Sequence, residues 1–97
     1  MELKLMTTIK EVVNAFYSKR ELKGNTIKSV VCADKGKTYL IGYGHAVYGE
    51  IDNASGEVTY HSGWDGYSHT TSRHITISKM RSVADVVTDE RPEFVGC

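Results

Sequence analysis

The sequence has one proline, two cysteines and no long apolar run among its 97 residues. One proline and nine glycines are too few for a disordered or collagen-like chain. A membrane-spanning helix needs about 20 apolar residues, so neither a span nor a signal peptide is expected. The cysteines form no CxxC pair, which predicts free thiols in a reducing cytosol. These absences favour a single soluble domain over residues 1–97.

The sequence also has no net charge, since 12 Lys+Arg balance 12 Asp+Glu. A domain that binds nucleic acid by bulk charge usually carries a basic excess, so this class is disfavoured. The charges are nevertheless segregated. Residues 1–37 hold eight basic and four acidic side chains, whereas residues 38–72 hold four acidic ones and no Lys or Arg. Either this dipole orients the protein on a partner, or the basic first element lies on the acidic half.

The first element is predicted to be a helix. Its apolar residues at helical spacing are Ile9, Val12, Val13 and Phe16. Thr8 and Glu11 have the spacing of a capping box at the helix start. Gly24 and Asn25 are typical of a helix stop. The pattern predicts a helix from about Thr8 to Leu22.

Four strands are predicted next, because short β-branched or alternating runs are separated by turn residues. They are Thr26 to Ala33, Lys37 to Tyr43, Ala46 to Asp52 and Glu57 to Ser62. Short connections favour antiparallel neighbours, so the four strands form a meander. The predicted fold is α+β, with the N-terminal helix packed on a four-stranded antiparallel sheet.

The last third of the chain is predicted to form a shorter C-terminal helix. Helical spacing relates Ile77, Met80, Ala84 and Val87. A fifth strand is the alternative, since residues 74–78 also alternate and are β-branched. Residues 88–97 are charged, contain Pro92, and are expected to be a tail.

Hydroxyls, a guanidinium and an imidazole are concentrated at the junction before this helix. The candidate anion-binding residues are Thr70, Thr71, Ser72, Arg73 and His74. Free N–H groups at a helix start attract phosphate or carboxylate, and these side chains would add to that attraction. The alternative is an ordinary Ser/Thr helix cap with Arg73 in solvent.

No metal site or cofactor is predicted. The four histidines are His45, His61, His69 and His74, and no pair has the spacing of a helical zinc site. A metal-free nuclease is the enzymatic alternative, with acid, base and cation drawn from His61, His69, His74, Tyr67 and Arg73. These residue types are common, so we expect a protein that is not an enzyme.

The aromatic residues favour a protein-binding surface instead. Tyrosine, tryptophan and arginine are the residue types that dominate protein interfaces. The predicted aromatic and basic contacts are Tyr48, Tyr60, Trp64, Tyr67 and Arg73. The predicted acidic contacts beside them are Glu50, Asp52, Glu57 and Asp65.

The run Tyr67-Ser68-His69-Thr70-Thr71-Ser72-Arg73-His74 resembles a family motif. The motif Y-S-x-T-T-S-[R/K]-H is that of small uncharacterised proteins encoded by bacteriophages and related mobile elements. The resemblance covers about residues 42–75, is specific only over those eight residues, and implies a bacterial cytoplasm as the working compartment. It carries over no activity and no catalytic residue.

Small phage proteins of this kind often bind one host macromolecule, and this suggests an inhibitor of a bacterial defence component such as a CRISPR effector. The alternative is a small protein that binds or processes RNA or single-stranded nucleic acid, holding a phosphate at the Thr70–His74 junction. A homo-oligomer formed through an exposed edge strand is a third hypothesis. The host partner would be a protein or a ribonucleoprotein.

Overall fold

A computed structural model describes residues 7–97; residues 1–6 of the basic opening lie outside the described residues. The first helix, α1, spans Ile9–Tyr17 and begins at the predicted capping box of Thr8 and Glu11. It ends earlier than expected because Lys19 adopts a left-handed conformation with φ 58°. The N–H of Lys19 bonds to Phe16 O and that of Arg20 to Ala15 O, the pattern of a Schellman motif. The prediction of a helix to Leu22 is therefore wrong.

Within residues 7–97, the sheet has six strands in the order β1-β2-β3-β4-β5-β6. Their bounds are Leu22–Lys23, Ile27–Cys32, Lys37–Gly42, Ala46–Asp52, Val58–His61 and Val86–Thr88. Strands β2 to β5 form the predicted antiparallel meander. The two short edge strands were not predicted: β1 pairs antiparallel with β2, and β6 pairs parallel with β5. The α+β class is confirmed, but the sheet is mixed and larger than four strands.

The C-terminal helical region consists of α2 (His69–Ser78) and α3 (Met80–Val83). The helix preferred over a fifth strand for residues 74–78 is thus confirmed. The prediction that the helical spacing of apolar residues continues to Val87 is wrong, because Lys79 adopts a left-handed conformation with φ 57° and ends α2. Met80 is fully buried, whereas Val87 lies exposed in β6.

Helices α1 and α2 pack against one face of the sheet. The largest fully buried side chains there include Phe16, Leu40, Tyr48, Ile75 and Met80. A register shift at Leu40/Ile41 marks a β-bulge that leaves Tyr48 as the extra residue of β4. Tyr48 crosses over Gly42 to reach α2, and a Cβ at Gly42 would collide with its phenol. Glycine is therefore required at position 42.

The C-terminal segment is not a free tail. Val47 N–H donates to Pro92 O, Phe94 N–H donates to His45 O, and a disulfide joins Cys97 to Cys32 across 65 residues of sequence. The expectation of free thiols is wrong, so the cysteines give no argument for a reducing compartment. Residues 89–97 form a strap that starts at β6 and ends on β2. No helix in the described part of the chain has the length and apolarity needed to cross a membrane.

Candidate functional site

The β3–β4 turn places an aromatic side chain in solvent. His45 N–H donates to Gly42 O, and the two residues between them, Tyr43 and Gly44, have φ values of 53° and 81°. Positive φ at both central positions is the geometry of a type I′ turn, which normally takes Asn or Gly there. A left-handed conformation costs a side-chain-bearing residue about 1 kcal/mol. Tyr43 is therefore held in an unfavourable conformation while its ring stays 45% exposed.

A second exposed ring lies on the loop before α2. Tyr67 is 57% exposed and follows Gly66, which has φ 82°. The loop is fixed from both sides: Gly66 N–H donates to Ser72 Oγ, and Arg81 donates two hydrogen bonds to the Asp65 carboxylate at 2.6 and 2.7 Å. Arg81 is the main cause of the lowered pKa of Asp65. The loop that carries the exposed Tyr67 is thus fixed by these hydrogen bonds.

Trp64 lies between the two exposed segments. Its ring makes edge contacts with His45 and Tyr67 at centroid distances of 5.7 and 5.1 Å. Its indole N–H donates to Pro92 O at 3.1 Å, so it also holds the strap. Arg91, the residue before Pro92, donates to Gly63 O and places its guanidinium 5.4 Å from the Tyr67 ring centroid. We call Tyr43, His45, Tyr67 and Arg91 the aromatic surface.

His74 supports the aromatic surface from below. Its ring is fully buried and stacks on Tyr43 at 5.4 Å. Nδ1 lies 2.8 Å from the Tyr48 hydroxyl, and Nε2 lies 3.1 Å from Thr26 Oγ1. Burial, and then the Arg73 charge, lower the pKa of His74, while burial raises that of Tyr48 to about 12. Both imidazole nitrogens are satisfied in the neutral form, so the Tyr43 ring lies on a fixed base.

The lowered pKa of His74 makes stability depend on pH. An unfolded chain binds a proton at His74 near pH 6.5, whereas the folded chain resists it. The stabilisation that comes from neutral, buried His74 is therefore complete above about pH 6.5, the pKa of the unfolded chain. It is lost as the pH falls from there through the lower pKa of the folded chain. We expect the free energy of unfolding to fall below pH 6.5 with a slope of at most about 1.4 kcal/mol per pH unit from this group.

Urea unfolding between pH 7.5 and 5 measures this slope. His74→Gln keeps a polar group and removes the titration, so its slope in this range should be smaller than that of the wild type. The other histidines are common to both proteins and cancel in the comparison. Equal slopes would show that His74 is not the source.

Three of the predicted aromatic contacts are buried. Tyr48, Tyr60 and Trp64 belong to the hydrophobic core, and Trp64 is only 4% exposed. Tyr48 faces α2 because the bulge turns it inward. The Tyr60 hydroxyl donates to Asp65 at 2.7 Å, and burial raises its pKa to about 12. The expectation of an exposed face is wrong for these residues and is confirmed for Tyr67.

The predicted acidic contacts mostly bind partners within the chain. Glu50 accepts from His61 at 2.9 Å, which is the main cause of its lowered pKa. Lys37 lies 3.6 Å from Glu50 and 3.8 Å from Asp52. Asp52 also accepts from two N–H groups of its own hairpin loop, and Asp65 is held by Arg81. Glu57 is exposed.

The junction residues do not converge on one point. Consecutive residues of a helix point about 100° apart, and here His74 and Thr71 are buried while Thr70 and Arg73 are exposed. Ser68 is the N-cap, accepting from Thr71 N–H, and Ser72 Oγ accepts from Gly66 N–H. The hydroxyls therefore satisfy the backbone, as in the helix-cap alternative. Arg73 lines a cleft of about 510 Å³ beside the start of α1, together with Lys10.

The histidines are dispersed. His61 is buried between Glu50 and Thr88 Oγ1, and His74 is enclosed in the core, whereas His45 and His69 are exposed. Within residues 7–97, no three His, Cys, Asp or Glu side chains are placed to hold a metal ion. The nuclease alternative draws its acid, base and cation from His61, His69, His74, Tyr67 and Arg73. Burial keeps His61 and His74 from a substrate phosphate, whereas the other three residues are exposed.

Sequence reasoning missed Tyr43, His45 and Arg91. The available signal was the pair of glycines around Tyr43, since a glycine-flanked residue between two strands lies in an exposed turn. Arg91 had no such signal, because its position depends on the strap.

The chain matches no protein-family model, no curated protein sequence and no solved structure. The function is therefore inferred from the residues themselves.

Proposed function

We propose that this chain is a small phage-type protein that binds a bacterial host macromolecule through the aromatic surface. In this proposal the partner is a protein of host defence, such as a CRISPR effector, and binding inhibits it in the bacterial cytoplasm. The motif from Tyr67 to His74 supports the phage origin. The observation that carries the binding role is the exposed Tyr43, held in a left-handed turn on a fully buried histidine.

The chemistry of the aromatic surface fits protein recognition. Tyrosine and arginine are enriched at binding hot spots because they offer large contact area and hydrogen-bonding groups at low entropic cost. Tyr67 is prepositioned by Trp64 and Arg91, and Tyr43 by His74. Prepositioned rings lose little conformational freedom when a partner covers them. Strained backbone positions also concentrate at functional sites.

The double variant Tyr43→Ala/Tyr67→Ala tests the proposal. Both rings are half-exposed, so we expect each truncation to change stability by about 1 kcal/mol or less. Loss of two hot-spot side chains should weaken partner binding at least about 30-fold. The wild-type chain is immobilised, the host protein is captured from bacterial lysate and identified by mass spectrometry, and its affinity for both chains is measured.

Two controls accompany this experiment. Val95→Ala truncates an almost fully exposed apolar side chain that is not part of the aromatic surface and lines a cleft with Lys35 and Tyr39, so it should leave affinity unchanged. Tyr67→Phe keeps the ring and should retain most of the binding. A folded double variant that binds as tightly as the wild type would refute the role of the aromatic surface.

A salt titration separates this proposal from the nucleic-acid alternative. Phosphate contacts release counterions, so an RNA-binding protein loses affinity steeply as salt rises. An aromatic interface is much less sensitive. Steeply salt-dependent binding of a single-stranded RNA, retained in Tyr43→Ala/Tyr67→Ala, would favour the alternative.

A further inference from the structure

A group of exposed apolar side chains lies at the β6 edge of the sheet. These side chains are aliphatic, unlike those of the aromatic surface. Val83, Val86 and Val87 are 46, 38 and 58% exposed and occur within five residues of sequence. They account for half of the exposed large apolar residues in the described part of the chain. Isolated exposed valines are ordinary. Here Val83 ends α3, and Val86 and Val87 are consecutive in β6, so one exposed valine lies on each face of this edge strand and is available to an added strand.

Strand β6 is the last strand of the sheet. It pairs with β5 on one side, and within residues 7–97 no strand pairs with its other side. An edge strand presents backbone N–H and C=O groups to any extended segment that approaches it. Both edge strands are short, but β1 differs from β6 because it carries the exposed Lys23. Lysine on a short edge strand blocks further pairing.

Carboxylates surround β6. Asp85 precedes the strand and accepts from Val58 N–H at 2.9 Å, which fixes its position. Asp89 and Glu90 follow the strand, and Glu57 precedes the neighbouring strand; all are exposed. Lysine and arginine are absent from residues 82–90. An occupant of this edge therefore meets an apolar centre between acidic ends.

These charges disfavour a second copy of the chain as the occupant. If two β6 strands paired antiparallel about Val87, Asp85 of each copy would lie opposite Asp89 of the other. Like charges directly opposite each other on paired strands are destabilising. A segment with basic residues around an apolar centre would instead gain ion pairs at both ends.

We infer that the β6 edge binds an extended basic segment of a partner protein by strand addition. The backbone of the segment pairs with β6, its apolar residues contact Val86 and Val87, and its lysines or arginines approach Asp89 and Glu90. This inference does not rest on the aromatic surface, and either site can fail without the other.

The test uses a short fluorescent peptide with a Val-Thr-Val centre flanked by lysines, and a matched peptide flanked by glutamates. We expect the basic peptide to bind and to shift the backbone amide NMR signals of residues 83–90, and the acidic peptide to bind much more weakly. Asp89→Lys/Glu90→Lys should weaken binding of the basic peptide at least about fivefold, because it removes two exposed ion pairs and adds repulsion between like charges.

The control Glu21→Lys/Asp34→Lys makes the same charge change on exposed residues beside β1 and β2 and should bind the basic peptide like the wild type. Equal affinity for both peptides, or signal shifts confined to other elements, would overturn the inference. Concentration-dependent dimerisation of the wild-type chain with shifts at residues 83–90 would show that the occupant is a second copy.

Discussion

Replacing Trp64 with alanine is expected to lower the free energy of unfolding by about 3–5 kcal/mol. The side chain is 4% exposed in the hydrophobic core, and it contacts rings on both sides. Truncation removes these contacts, leaves a cavity, and deprives Pro92 O of its indole donor. For a small domain of marginal stability this is a large fraction of the total.

Urea unfolding followed by circular dichroism measures this effect, because Trp64 is the only tryptophan and its fluorescence is lost. Trp64→Phe keeps an aromatic ring, so it should lower the free energy of unfolding much less than Trp64→Ala. Loss of the hydrogen bond to Pro92 O contributes about 1 kcal/mol, in addition to the effect of the smaller side-chain volume. Tyr67→Ala is the control for an exposed neighbour. A Trp64→Ala variant as stable as Tyr67→Ala would mean that Trp64 is not part of the core.

Opening the Cys32–Cys97 disulfide is expected to cost about 4 kcal/mol, the chain-entropy value for a loop of 65 residues. Cys97→Ser is the preferred variant, because Cys97 is exposed and Cys32 is buried. Wild-type protein in reductant should match Cys97→Ser in urea unfolding. Reductant should leave the stability of Cys97→Ser unchanged.

The same variant should loosen the strap locally. The amide of Phe94 bonds to His45 O in the β3–β4 turn, and the amide of Val47 in β4 bonds to Pro92 O of the strap, so hydrogen exchange of both amides should accelerate. The amide of Ser18, bonded within α1, should respond only to global stability. Unchanged exchange at Phe94 and Val47 would show that the strap is held without the disulfide. The result matters for the proposed function, because disulfides are largely reduced in a bacterial cytoplasm.

The elements that could be predicted from the sequence are those with strong local signals. The meander strands carry β-branched residues in alternation, and the α1 start is encoded by Thr8 and Glu11 three residues apart. The edge strands were missed because two or three residues are too few to show a period. Their stability comes from the neighbouring strand rather than from their own pattern.

The candidate site was predicted less well, because its geometry depends on tertiary contacts. One bulge reverses the orientation of Tyr48, so alternation along β4 assigned its side chain to the wrong face. Trp64 was placed in solvent because the strap that covers it is distant in sequence. The Cys32–Cys97 disulfide was missed for the same reason, since the two cysteines are 65 residues apart in sequence. The exposure of Tyr67 could be predicted because it lies in a loop flanked by polar residues and glycine.

The most direct test of the proposed function is the hydrogen-exchange footprint of the captured host protein on this chain. We expect binding to slow exchange in residues 43–45 and 63–67, which carry Tyr43, His45 and Tyr67, and to leave α1 unaffected. Protection confined to α1 or β1, with no change in those two segments, would contradict the assignment of the aromatic surface as the binding site.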